Sequence, residues 1–282
     1  MNFLSTLYYR TYQDCFMGSR LAAYRALLRE IRSCGYRFCT IIEFAEIDRS
    51  AAFDQPVCLL RNDVDSNKTG VAQMFGCDRD EGVRATYFFR LSTIDRKLMD
   101  RIENHGGVVG YHFEEIASVA KRLGLNSRAQ VDAHMEEIRD EFRRNIAQFH
   151  ERTGRIPLAV ASHGDFVNRR IGVSNSDLLT PALMEELGIV ADAYGDRFHR
   201  ALDARFSDFP PPQWWKPFDP VQVLPDRPRS LSILVHPRQW TCNPALNLWL
   251  NGQRISQEIS WRRRAAMTER RNARGPTNAD NP

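Results

Sequence analysis

The feature that most constrains this chain is the alternation of short apolar runs with stretches of helical period. Runs of strand character stand at 57–61 (VCLLR), 85–90 (ATYFFR), 107–111 (GVVGY), 157–161 (PLAVA), 188–191 (GIVA) and 230–235 (SLSILV). Helical patterns fill 19–34, 69–81, 95–104, 127–152 and 180–187. The longest carries Val131, Met135, Ile138, Phe142, Ile146 and Phe149 on one stripe. Ser127 and Gln130 form a capping box at its start, and Gly154 stands past its end. Apolar strands separated by amphipathic helices belong to a parallel sheet covered on both faces, an α/β architecture. The pattern alone leaves an open doubly wound sheet and a barrel as alternatives. Residues 192–229, with FPPPQWWKPF inside them, break the rhythm and read as a long excursion over the rim or a lid on the core.

Four of the runs end in chemistry. VCLLR is followed by Asn62-Asp63-Val64-Asp65, GVVGY by His112-Phe113-Glu114-Glu115, PLAVA by Ser162-His163-Gly164-Asp165, and LSILV by His236-Pro237. In parallel α/β folds the C-terminal strand ends form one rim, where reactive groups collect. Asp63 and Asp65, two apart on an extended chain, point the same way. One carboxylate with two imidazoles is a common catalytic zinc set, and a second carboxylate beside it can accept a proton from water. A calcium loop would need more oxygen donors; the histidines favour zinc or another borderline metal. His134 and His150 lie off the apolar stripe of their helix, His105 sits in an Asn-His-Gly turn and His199 in the excursion, and none of these four is assigned a role. Asp177 and Asp192 lie near the rim with no motif behind them.

Composition excludes several classes. At 282 residues, 43% hydrophobic and 26% charged, the chain has the make-up of a globular protein. No window approaches the ~18 apolar residues of a membrane span, and MNFLSTLYYR lacks the regions of a signal peptide. The expectation is a cytoplasmic protein. The net charge of +4 resides in residues 262–282, where six arginines face Glu269 and Asp280. That stretch reads as a disordered tail rather than a nucleic-acid surface, so no nucleic-acid partner is expected. The six cysteines include no CxxC pair and read as reduced thiols.

Five motifs in order, Leu60-Arg61-Asn62-Asp63-Val64-Asp65, Ala85-Thr86-Tyr87-Phe88-Phe89-Arg90, Gly110-Tyr111-His112-Phe113-Glu114, Ser162-His163-Gly164 and His236-Pro237-Arg238-Gln239-Trp240, resemble the polysaccharide deacetylase (NodB-homology, carbohydrate esterase family 4) superfamily, specifically its DVD-type intracellular branch. The resemblance covers about residues 19–242 and implies a distorted (β/α) barrel of about seven strands. Residues 1–50 would form a helical extension, 51–245 the barrel, and 246–282 a C-terminal segment with the basic disordered tail.

The resemblance also implies roles. Asp63 corresponds to the catalytic base, Asp65 and His112 to metal ligands, and His236 to the general acid. The usual second metal histidine has no match, since its position is Ile116. His163 is the candidate replacement, with Glu114 the alternative. Arg61 or Arg90 could steady the base in place of the family's arginine; Arg61, Arg90, Glu114 and Trp240 are expected to meet substrate. The implied activity is removal of an acetyl group from an N-acetylated sugar or glycan precursor, with a divalent metal, zinc foremost, and a carbohydrate as partner. A catalytically silent glycan-binding barrel and a hydrolase of a non-sugar amide are the alternatives.

Overall fold

The computed structural model describes residues 8–46 and 55–273. Nine strands form one sheet: β1 (Arg37–Cys39), β2 (Val57–Val64), β3 (Thr86–Phe89), β4 (Val108–Phe113), β5 (Ala159–Ser162), β6 (Ala191–Asp192), β7 (Ala204–Asp208), β8 (Trp215–Lys216) and β9 (Ser230–Val235). Their order is β6-β5-β4-β3-β2-β9-β7-β8, with β1 against the first half of β2. Every described pairing is parallel except β7 with β8.

Helices cover the outer face: α1 (Leu21–Ser33), α2 (Ile41–Glu46), α3 (Lys68–Asp80), α4 (Arg96–Asn104), α5 (Glu115–Leu123), α6 (Arg128–Ala133), α7 (Met135–Thr153), α8 (Phe166–Ile171), α9 (Pro181–Glu186), α10 (Asp196–Arg200), α11 (Pro237–Trp240) and α12 (Pro244–Ala273). The exceptions are α2 and α10, which meet at the inner side through Phe44 and Phe198, ring centroids 5.2 Å apart. Among the described residues no helix is long and apolar enough to cross a membrane.

The period of two sorts each strand into two faces. Cys58, Leu60 and Val64 of β2 pack outward against Tyr24, Leu28 and Ile31 of α1 and Val71, Met74 and Phe75 of α3. Val57 and Leu59 point inward and share a second core with Phe88, Ala159, Ala161, Ala191 and Ala193. Residues of β2 and β6 can share a core across the intervening strands only if the sheet curls. The expected barrel is therefore a curled sheet whose ends, β6 and β8, do not pair among the described residues. Gly110 permits the tight interior: a Cβ there would stand 2.5 Å from Phe88 Cε1 and 2.6 Å from the Ala159 carbonyl oxygen.

Four expectations change. The 127–152 helix is two helices, because the His134 ring Nδ1–H donates to the Gln130 carbonyl oxygen at 2.8 Å, and the backbone N–H of His134 turns to Val131 instead. The excursion 192–229 contains β7 and β8, and the 1–50 segment contributes β1 to the sheet. Residues 262–273, assigned to the tail, continue α12. Trp261 and Ala265 are buried, and the Trp261, Arg264 and Thr268 side chains donate to the carbonyls of Leu125, Lys121 and Leu123. Two of those carbonyls belong to the last turn of α5, which has no partners for them within its own helix. The rest of the tail, 274–282, and residues 1–7 and 47–54 lie outside the described residues.

Candidate functional site

The inward face that buries Val57 and Leu59 continues up β2 to Arg61 and Asp63, and beyond its end to Asp65. The same parity puts His112 of β4 inward beside Gly110, His163 after Ala161, and His236 after Leu234. Asp63, Asp65, His112 and His163 meet at one rim. His112 Nε2 lies 3.1 Å from Asp65 Oδ1 and 3.5 Å from Asp63 Oδ2, and His163 Nε2 lies 3.5 Å from Asp65 Oδ1. The two imidazoles stand perpendicular, centroids 5.2 Å apart.

This set fits a tetrahedral cation. Donor atoms about 2.1 Å from a shared centre lie about 3.4 Å from one another, and the Asp65, His112 and His163 atoms lie within 4.8 Å of each other. His112 Nδ1–H donates to the Ala161 carbonyl oxygen at 2.9 Å, which fixes the ring and turns the Nε2 lone pair to the site. His163 Nδ1 faces Glu114 Oε2 at 3.3 Å, outside hydrogen-bond alignment. The sequence alternative, Glu114, forms a second possible group with His163 and Asp165, but it is paired to Arg90. Ile116 is buried in α5.

The charges are set by neighbours. Burial favours the neutral form of the Asp65 carboxyl, but His163, His112 and His236 outweigh it and hold it well below the usual carboxylate range. Burial works against the Asp63 carboxylate too, and Arg61, His112 and His236 overcome it. Arg61 Nε and Nη2 reach the two Asp63 oxygens at 2.6 Å each, and both side chains are buried. Of the two candidate arginines, Arg61 is the one that pairs with Asp63. Arg90 donates to the Asp65 carbonyl oxygen at 3.3 Å and pairs with Glu114, forming a side wall. Burial also opposes the charged form of the His163 imidazole, and Asp65 and Glu114 reverse that and raise it.

His236 is held from behind. Its Nδ1 lies 2.6 Å from Asp208 Oδ1, and its backbone N–H donates to Asp208 Oδ2 at 2.7 Å. Burial disfavours the imidazolium, yet Asp208, with Asp65 and Asp63 beyond, raises it to about 10. Trp240, expected to meet substrate, is instead 2% exposed, and its Nε1–H donates to Asp208 Oδ2 at 2.9 Å. It braces the aspartate that orients His236. Asp177 pairs with Arg128, and Asp192 accepts from the Tyr194 backbone N–H.

Sequence reasoning missed Asp208 and Tyr194, whose ring lies 4.4 Å from the Arg61 guanidinium carbon. Asp208 closes a short run, ARFSD, as an acidic residue closes VCLLRND, but that run lacks the apolar pattern that marks the other strands. No sequence signal marks Tyr194.

No family model matches the chain, and no curated protein matches it. Among solved structures it is similar to the peptidoglycan deacetylase PdaC from Bacillus subtilis, at 14% sequence identity and a TM-score of 0.37, covering 78% of this chain and 98% of that one.

Proposed function

We propose that the chain is a metal-dependent hydrolase that removes the acetyl group of an N-acetylated sugar or glycan precursor. The observation that carries this reading is the convergence of the Asp65, His112 and His163 donor atoms beside an arginine-held Asp63. Asp65, His112 and His163 would hold a divalent cation, and two imidazoles with one carboxylate favour zinc. When bound, such a cation supplies Lewis acidity for the acetamide carbonyl and lowers the pKa of water at the site towards ~7.

The protein side of the chemistry falls to three groups. Asp63, kept ionised by Arg61, accepts the proton of the attacking water at a carboxylate oxygen. His236, carrying a proton at neutral pH because Asp208 stabilises its cation, gives it to the departing sugar nitrogen. Asp208 and Trp240 fix the orientation of that imidazole. The products are acetate and a free amino sugar.

The test is acetate release by zinc-loaded protein over a panel of N-acetyl sugars and sugar nucleotides. Turnover that disappears with Asp63→Asn supports the reading. A zinc-loaded protein inactive on the whole panel, or one whose activity survives Asp63→Asn, overturns it.

A further inference from the structure

Among the described residues the sheet curls without joining its ends, and the space left over is a cavity of about 560 Å³ between the chain after β6 and strands β7 and β9. That volume lies in the range of ~300–1,000 Å³ typical of small-molecule sites. Ser232 and Leu234 form its wall on β9, Tyr194 faces them, and Arg61 reaches it from β2. One guanidinium therefore borders both the cavity and Asp63.

The lining is one-signed. It carries Arg61, Arg205, Lys216 and His199 and, among the described residues, no aspartate or glutamate. Arg61 is already answered by Asp63, at 2.6 Å through two nitrogens. Arg205 and Lys216 have no carboxylate within ion-pair distance among the described residues. The Lys216 ammonium rests on the Phe209 ring, 3.6 Å from its centroid. His199 registers the resulting field: burial first, then Arg205 and, after the opposing pull of Asp196, Arg61 leave its imidazole below the ordinary value. A second arginine-lined cavity, near Arg10 and Arg254, differs in holding its own counter-ion, since Asp14 there is paired to Arg238 at 2.5 Å.

We infer that this cavity is a subsite for an anionic group, a carboxylate or a phosphate, carried by the sugar whose acetamide lies at Asp63. The inference rests on the deacetylase reading for the position of the acetamide, and it narrows that reading to acidic or phosphorylated N-acetyl sugars. Arg205 and Lys216 supply the charge, and His199 and Gln213 the remaining polar contacts. A neutral sugar would leave both cations facing an empty lining, whereas an anion gains charge-assisted hydrogen bonds to them.

The experiment compares three probes on zinc-loaded protein: an N-acetylhexosamine, its uronic acid, and its 1-phosphate. Calorimetry gives binding, and acetate release gives KM. The wild type should favour one or both anionic probes over the neutral one by about tenfold or more, the size of a hydrogen bond to a charged group. Whichever anion gains identifies the carboxylate or the phosphate as the natural group. The exposed double variant Arg205→Gln/Lys216→Gln should lose that preference, and Lys216→Glu should invert it, with melting temperature as the control for folding. Equal binding of the three probes, or a preference that survives the double variant, overturns the inference. Anion-selective binding that depends on Arg205 and Lys216, with no acetate released from any probe, sustains the subsite and rejects the deacetylase instead.

Discussion

Asp63 and Asp65, with one residue between them, lie on the same side of the chain at the end of β2, yet Arg61 grips both oxygens of Asp63 at 2.6 Å, while Asp65 faces the imidazoles of His112 and His163 at 3.1 and 3.5 Å. An aspartate bound by a guanidinium fork stays charged and fixed; one between two imidazole nitrogens is placed as a metal ligand would be. Asp65→Asn should therefore lose zinc, because a neutral amide is a poor donor. Asp63→Asn should keep zinc and lose 10²–10⁴-fold in turnover, the usual worth of a general base. Metal content measured beside turnover separates the two. Zinc lost from Asp63→Asn and kept by Asp65→Asn would reverse the assignment.

The Arg61 fork is not replaceable by a point charge. A lysine cannot offer two parallel donors to both Asp63 oxygens, nor lie flat near Tyr194. Arg61→Lys should retain zinc and fall in turnover. Arg61→Met leaves a buried carboxylate without its cation, which typically costs about 3–5 kcal/mol. Urea unfolding of the two variants checks the order: methionine well below wild type, lysine between them.

Asp208 sets the proton affinity of His236. The imidazole is raised to about 10 against an unperturbed value near 6.5. Asp208→Asn removes the largest attraction and should move the basic limb of the pH–rate profile downward, while the zinc content stays. A profile whose basic limb does not move would show that His236 is not the acid.

How far the sequence reached follows from strand length. Runs long enough to show an apolar pattern, such as VCLLR and SLSILV, lie where the strands do. β1, β7 and β8 have three, five and two residues. β7 carries Arg205 and Ser207 on its inward face, so it offers no apolar signal, and Asp208 at its end went unread with it. Asp65, His112 and His163 were legible because each ends a visible strand and parity sends all three inward. Trp240 misled because an aromatic after a motif histidine reads equally as a substrate platform and as packing; only its bond to Asp208 distinguishes them.

Asp78 makes stability depend on pH from outside the site. Its carboxyl is buried between α1, α3 and β3, accepting from the hydroxyls of Tyr24 at 2.7 Å and of Tyr87. Burial raises it to about 7 despite those two donors. An unfolded aspartate titrates near 3.9, so between about 4 and 7 the folded chain holds a proton that the unfolded chain does not. The stabilisation is complete below that window and is lost as pH rises through about 7, at up to about 1.4 kcal/mol per pH unit. Glu115, raised to about 7 by burial beside Tyr111 and Asn145, adds in the same direction. Asp78→Asn should unfold in urea with a shallower dependence between pH 5 and 7 than wild type. Parallel curves would mean Asp78 does not titrate there.

The end of α12 provides a test of packing without apolar periodicity. After Trp261 the helix offers Ala265 as the one buried residue among those whose side chains are described, and sequence alone puts a disordered tail there. The contact works because Gly124, at φ +70° past the end of α5, has no side chain: a Cβ would stand 2.7 Å from the Arg264 carbonyl carbon and 2.8 Å from the Ala265 nitrogen. Two helices approach backbone to backbone, and the Arg264 and Thr268 side chains reach the α5 carbonyls. Gly124→Val would meet both the backbone clash and the left-handed φ, each costing about 1 kcal/mol or more. It should lower the melting temperature by several degrees, and truncation after Trp261 should lower it too by freeing the carbonyls of Lys121 and Leu123. Combining the two changes should cost less than their sum, because both break one contact. Full additivity, or a truncated chain as stable as the whole, would show that the last turns of α12 add nothing to the fold.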